Sequence, residues 1–188
     1  MARAGLSAEV LTRAAADVAD EIGFERLTLG AVARRFDVKE PSLYSHVENA
    51  HALRLRVAAL ALSESADRIA EAVAGRSGRE ALTAFATAYR DYAKSHPGRF
   101  TATRMPLPPR SPAADAARRH SALARALLRG YALAEPAETD AVRLIGATVL
   151  GFVTLEAAGG YLHHAREPDA SWAVGIDALD VALRNWPG

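Results

Sequence analysis

Residues 28–53 read TLGAVARRFDVKEPSLYSHVENAHAL, and this stretch decides the fold. Leu29, Val32, Ala33 and Phe36 recur at helical steps. Thr28 stands where an N-cap belongs, with a hydroxyl that can accept a hydrogen bond from an otherwise unpaired backbone N–H. Asp37 falls where the following turn needs a left-handed residue; glycine is the usual solution, and Asp and Asn are the next most tolerant. Val38 then fills a small core. Pro41 is tolerated only in the first turn of a helix, where its missing N–H costs nothing. A second short helix is therefore expected to open at Lys39 or Glu40. Leu43 and Val47, four apart, face inward from it, while Ser42, Tyr44, Ser45 and His46 face outward. Two short helices joined by a tight turn make a helix-turn-helix.

In that motif the second helix lies in the major groove of DNA. The outward side chains suit the task. Tyr44 offers a hydrogen bond to a phosphate and an apolar face to a thymine methyl; the competing reading is that it packs. His46 can donate to a phosphate, and Lys39 and Ser42 at the start of the helix are placed for phosphate or base contact. Glu40 either accepts from a cytosine N4 or repels phosphate, and the sequence leaves both open.

The run V-x-x-P-S-L-Y-x-H-V, followed by N-x-x-A-L, resembles the TetR family of bacterial transcriptional regulators. The strong resemblance covers roughly Leu6 to Leu60, and GFVTLEAAGGYLHH further on resembles a C-terminal domain found in a subset of these regulators. It implies an all-α protein of about nine helices. A three-helix DNA-binding head would occupy residues 1–50, and a helical ligand-binding and dimerisation body residues 51–188. It carries DNA contact onto Thr28, Lys39, Glu40, Pro41, Ser42, Tyr44, Ser45 and His46. It also implies a homodimer on a palindromic DNA operator, a repressor's role, and release by a small-molecule inducer. Three positions depart from the family's habit. Asp37 stands where glycine is frequent, Ala50 where a lysine often meets a phosphate, and Gly30 where some relatives place a base-reading arginine.

Composition narrows the classes independently. The chain has 188 residues, 50% hydrophobic and 24% charged, enough for a compact domain or a small head with a larger body. It has no cysteine, which excludes disulfides, Cys-ligated zinc and thiol catalysis. The opening MARAGLSAEV lacks the apolar core of a signal peptide, and no apolar run reaches the ~18–20 residues of a membrane helix. A cytoplasmic protein without membrane attachment is expected. Net charge is +1, and the first 60 residues balance eight basic against eight acidic side chains. Positive groups are therefore expected near the groove, with acids on the far side.

Elsewhere the chain reads as helices. Arg3 belongs to an N-terminal arm that either reaches DNA or is disordered. Ser7 caps a helix with Val10/Leu11, Ala14, Val18 and Ile22 inward, and Gly23 ends it. Asn49 caps a helix reaching about Val73, ~37 Å long, which ties the head to the body. Further helices are expected at about 79–95 (Leu82, Phe85, Tyr89 and Tyr92 inward), 99–104, 113–133 (Leu123, Leu127 and Tyr131 inward) and 136–162. A last one opens at Asp169 or Ser171, with Trp172, Ile176, Leu179 and Leu183 as its stripe. The helix at 136–162 is apolar on more than one face and should be covered on both. Gly146, Gly151, Gly159 and Gly160 would permit close helix contact or simply weaken the helix.

No catalytic constellation stands out: there is no G-x-S-x-G, Walker loop or H-E-x-x-H. His163 and His164 are adjacent and diverge by about 100° on a helix, so neither a metal site nor a cofactor is expected. For the inducer, Phe85, Tyr89, Phe100, Met105, Phe152 and Glu156 are the candidate pocket residues, since pockets are mostly apolar with a few polar groups. Glu156 among apolar neighbours meets a ligand, pairs with an arginine or faces solvent. The competing function is a helical small-molecule-binding or enzymatic protein with a relic DNA-binding head.

Overall fold

The computed structural model describes residues 6–187, so Arg3 lies outside the described residues. Among these, all regular structure is helical: α1 (Ala8–Ile22), α2 (Leu29–Arg35), α3 (Ala50–Val73), α4 (Gly78–Ser95), α5 (Pro97–Ala102), α6 (Pro112–Leu128), α7 (Ala137–Ala157) and α8 (Pro168–Arg184), with short 3-10 segments at Phe24–Arg26, Glu40–Ser45 and Arg129–Tyr131. The chain forms two compact units. The first comprises Met1–Glu64 and Ser95–Ala117, the second Ser65–Lys94 and Arg118–Gly188.

In the first unit, the Ser7 hydroxyl accepts from the Val10 N–H at 3.2 Å and opens α1. Leu11, Ala15, Ala16, Val18 and Ala19 form the buried side of that helix. Ile22, expected inward, is 39% exposed, because the helix ends there at Gly23 (φ 91°). Thr28 caps α2, accepting from Ala31 N–H at 3.1 Å. Asp37 takes the left-handed turn position, φ 52°, and Val38 N–H bonds back to Ala33 O at 3.1 Å. Asn49 Oδ1 accepts from Ala52 N–H at 2.8 Å and starts α3, which runs without interruption to Val73.

The stretch His96-Pro97-Gly98 ends α4 as expected, but the next helix opens at Pro97, two residues before the predicted Arg99. Proline at the first helical position loses no hydrogen bond. Gly98 then brings α5 against α1: a Cβ placed on it would lie 2.0 Å from the Ala19 carbonyl oxygen. Asp20 fastens the contact, accepting from the Arg99 backbone N–H at 2.8 Å and meeting His96 Nδ1 at 3.1 Å.

The second unit follows its predicted stripes in part, Tyr89 of α4 being half-buried rather than inward. Leu82, Phe85 and Tyr92 of α4 are buried, as are Trp172, Ile176, Leu179 and Leu183 of α8. In α6, Leu127 is buried with Ala124 and Leu128, while Leu123 and Tyr131 are half-buried. That helix gives way to the 3-10 turn at Arg129 rather than continuing to Leu133. Tyr131 donates to the buried Asp180 at 2.7 Å, and burial together with that carboxylate raises its pKa well above the ordinary phenol range.

Two expectations for α7 need correction. It ends at Ala157, not Leu162, because Gly159 turns left-handed (φ 75°) and Gly160 N–H bonds to Leu155 O at 2.8 Å. Gly159 and Gly160 are thus a helix stop, not a helix-packing surface. The inward side of α7 is Ala141, Ile145, Val149 and Val153; its second apolar face, with Leu144 and Leu155 38% and 53% exposed, is open in the single chain.

Candidate nucleic-acid interface

The second helix of the motif is not an α-helix. Glu40–Ser45 is a six-residue 3-10 turn, about 12 Å long at ~2.0 Å per residue. Two serine hydroxyls reinforce the tighter winding: Ser42 donates to Lys39 O at 2.7 Å and Ser45 to Ser42 O at 3.0 Å. Such side-chain bonds to nearby carbonyls compete with the α-helical ladder. The inward assignments, and the outward ones except that of His46, are nevertheless as the sequence indicated. Leu43 and Val47 are 0% and 4% exposed. Lys39, Glu40, Pro41, Ser42, Tyr44 and Ser45 are exposed, and His46 is half-buried.

Tyr44, at 52% exposure, is the largest apolar surface on this turn. It is tethered, because its hydroxyl donates to Glu40 Oε1 at 3.3 Å. Glu40 in turn lies over the start of α2: a Cβ on Gly30 would be 2.9 Å from Glu40 Oε2. Thr28 is exposed while its oxygen caps α2. The structure therefore places Thr28 at the start of α2 and the other seven candidates along the 3-10 turn from its N-cap Lys39 to its C-cap His46, all exposed except the half-buried His46.

A residue that sequence reasoning passed over positions this motif. Arg54 of α3 donates to Leu27 O at 2.9 Å and to Glu25 O at 2.9 Å, and its guanidinium lies 5.8 Å from the centroid of the Phe24 ring. It thereby ties the segment before α2 to α3. Arg35 pairs with Glu21 of α1 at 2.5 Å, so part of the acidic charge in this unit is met by basic charge of the motif itself.

The six candidate ligand residues fall in both units. Phe100 is buried in the first, with the Arg104 guanidinium 5.0 Å from its ring centroid. Met105 lines a cavity of about 290 Å³ with Phe24, Glu25, Arg54, Thr101, Arg104 and Pro106. In the second unit Phe85 is buried and Tyr89 meets His120 edge-on, ring centroids 6.4 Å apart.

Phe152 and Glu156 belong to a denser cluster. Phe152 packs against Tyr161 and Trp172, centroids 4.8 and 5.0 Å away. The Arg90 guanidinium lies 5.6 Å from the Phe152 centroid and 5.1 Å from that of Trp172. Glu156 accepts from Arg90 through both oxygens, at 2.8 and 2.5 Å, and from Lys94 at 3.1 Å. Asp169 also reaches Arg90, at 2.6 Å. Of the roles open to Glu156, pairing with an arginine is the one observed. Its bond from Arg90 holds its carboxyl below the usual carboxylate range, against the opposing effect of burial. Asp169 is lowered for the same first cause. Among the described residues no group of three or more His, Asp or Glu side chains is arranged to hold a metal ion. Nor is any helix among them long and apolar enough to cross a membrane.

Comparison with known proteins bears on the fold and the family. Residues 82–179 match the family described as "Tetracyclin repressor-like, C-terminal domain". An uncharacterised HTH-type transcriptional regulator of Mycobacterium tuberculosis is 36% identical over 158 residues, covering 83% of this chain and 72% of that protein. Another from Bacillus subtilis is 35% identical over 100 residues, 53% of this chain and 52% of that protein, so the match spans about half of that relative. The fold resembles a protein of unknown function from Rhodococcus sp. RHA1 (TM-score 0.79, 21% identity, 96% of each chain). It also resembles a TetR variant from Acinetobacter baumannii AYE in complex with minocycline (TM-score 0.73, 22% identity, 98% and 99% of the two chains). Those identities speak to the fold; the match over the C-terminal half and the mycobacterial relative go further, and with the motif at 28–47 they make this chain a member of the TetR family of helix-turn-helix transcriptional regulators.

Proposed function

We propose that the protein is a homodimeric, ligand-responsive repressor that binds a palindromic operator and is released by a small molecule. The observation that carries the DNA half of this reading is the outward set on residues 39–46, with Tyr44 half exposed above a buried Leu43. An exposed aromatic beside lysine, serine and histidine on a short turn suits phosphates and thymine methyls.

Dimerisation is supported by the outer sides of α7 and α8. Leu144, Leu155, Val174 and Val181 are all 38% exposed or more, and Gly146, Gly151 and Gly175 face open space. A symmetric pair of such helices would cover these side chains, and a two-fold dimer matches a palindromic site.

The body, residues 51–188 in this reading, would hold a small, largely apolar inducer near Phe85, Tyr89 and Phe152. Glu156 would contribute through its pair with Arg90. Release requires the inducer to bind one conformation more tightly than the other, by a few kcal/mol. Gel shifts on the promoter beside the protein's own gene test the proposal. Sequence-specific binding at moderate salt is expected and should be abolished by Tyr44→Ala with the melting temperature unchanged; no specific binding, or unchanged operator affinity in that variant, would refute it. A native mass spectrum of protein from its natural host would reveal a co-purified inducer.

A further inference from the structure

The start of α2 and the 3-10 turn share an arrangement that neither element explains alone. Gly30 is the second residue of α2, where any other side chain would project toward the turn. A Cβ there would stand 2.9 Å from Glu40 Oε2, and the next nearest atom, Arg34 Nη1, is 3.9 Å away. The missing side chain thus leaves room for the Glu40 carboxylate. The other oxygen of that carboxylate is held by the Tyr44 hydroxyl at 3.3 Å. An ionised carboxylate offers about four acceptor positions, so this one bond orients the group without exhausting it. Glu40 is exposed, as are Lys39, Ser42 and Tyr44 around it.

We infer that Glu40 is a specificity-determining residue. Its carboxylate, seated in the space left by Gly30 and steered by Tyr44, accepts a hydrogen bond from the N4 amino group of a cytosine in the major groove. This rests on the DNA-binding reading above and deepens it. Cytosine presents only a donor on that edge; adenine sets its N6 donor beside the N7 acceptor, which opposes a carboxylate, guanine presents only acceptors and thymine an acceptor beside its methyl, so a fixed acceptor favours cytosine over the other three. A carboxylate also repels phosphates, so Glu40 lowers affinity for every duplex while sparing those that offer a donor at the right place. That exchange fits a head whose first 60 residues carry no net charge: selectivity comes from a placed acceptor more than from bulk attraction.

Gly30 has a definite part in this. It keeps the carboxylate in place by contributing nothing, and an alanine would push a flexible side chain aside without altering any charge. Gly30→Ala and Glu40→Gln therefore perturb one contact by independent means, one steric and one chemical. Tyr44→Phe removes the tether and leaves the aromatic face.

The test is selection of bound sequences from a random duplex pool by the full chain and these three variants. Binding to the winning duplex and to its single-base-pair changes is then measured. The wild type is expected to require a C·G pair at one position of each half-site. Glu40→Gln and Gly30→Ala should each reduce discrimination at that same position by about fivefold or more, the low end of what one good base contact contributes. Only Glu40→Gln should tighten binding to unrelated duplexes. Tyr44→Phe should lose part of the same discrimination. Circular dichroism melts confirm that the exposed substitutions leave the fold intact. A wild type that enriches a motif which Glu40→Gln and Gly30→Ala share unchanged overturns this assignment alone. A wild type that enriches no sequence overturns the DNA-binding reading and this assignment together.

Discussion

Arg90 of α4 and Glu156 of α7, 66 residues apart in the chain, meet through two parallel hydrogen bonds of 2.8 and 2.5 Å, with side chains only 8% and 15% exposed. A forked guanidinium matched to a carboxylate is the strongest form of ion pair, and here it is roofed by Phe152 and Trp172. Removing Arg90 leaves the largely buried Glu156 with Lys94 alone, 3.1 Å away, and breaking a buried pair costs about 3–5 kcal/mol. Arg90→Ala is therefore expected to lower unfolding free energy by roughly 3 kcal/mol, measurable by urea denaturation. A loss below 1 kcal/mol would mean that water replaces the guanidinium freely.

The same pair predicts an acid sensitivity of definite sign. Glu156 has a folded pKa below its ordinary 4.5, first because Arg90 hydrogen-bonds the charged form. Its contribution is fully present above that ordinary value and is lost as pH falls through the depressed folded value. Glu156→Gln should lower stability near neutrality and flatten its decline below about pH 4.5. Urea titrations of both proteins across the acid range check this; parallel curves would show that Glu156 takes no part in acid unfolding.

Gly98 yields the sharpest prediction for the first unit. The atoms that a Cβ would strike, the Ala19 carbonyl oxygen and carbon at 2.0 and 2.1 Å, are backbone and cannot swing aside. Gly98→Ala should destabilise by about 3 kcal/mol or more, at or beyond the upper range for overpacking. Gly146→Ala, with nothing within 4 Å, should be neutral or slightly stabilising in the monomer, since alanine is the better helix former. Thermal melts of the two variants separate a steric requirement from a general preference.

Placing a charge on the open side of α8 tests the proposed dimer. Val181 is 58% exposed, so Val181→Glu should leave a monomer's fold untouched. If that face is the interface, two buried, unpaired carboxylates would oppose association, and sedimentation should show monomers where the wild type gives dimers. A dimer unaffected by the charge would place the contact elsewhere.

Much of this was legible from local signals. The Thr28 and Asn49 caps, the left-handed Asp37, the stop at Gly23 and the inward pair Leu43 and Val47 each depend on residues within one or two turns, where side-chain chemistry and periodicity act directly. The α8 stripe is legible for the same reason. The rest depended on distance or on close competition. Nothing in the pattern around Glu156 distinguishes Arg90 from the chain's other arginines. The approach of Gly98 to Ala19 spans 79 positions. Residues 40–45 wind as a 3-10 turn with serine-to-carbonyl bonds at Ser42 and Ser45, and apolar spacing does not separate that winding from an α-helical turn. Among the candidate site residues, the solvent-facing set at Lys39–Ser42, Tyr44 and Ser45 was readable because exposure alternates with burial over a few residues. The ligand set was drawn from aromatic residues in general and fell in both compact units.

The contact between Gly98 and Ala19 has a mechanical meaning. Where backbone touches backbone there is no compliant side chain to absorb movement, and Asp20 fastens the junction with further bonds. Residues 96–102 are thus held directly against the first helix, so a displacement of that segment is expected to move the helix rather than be taken up between them.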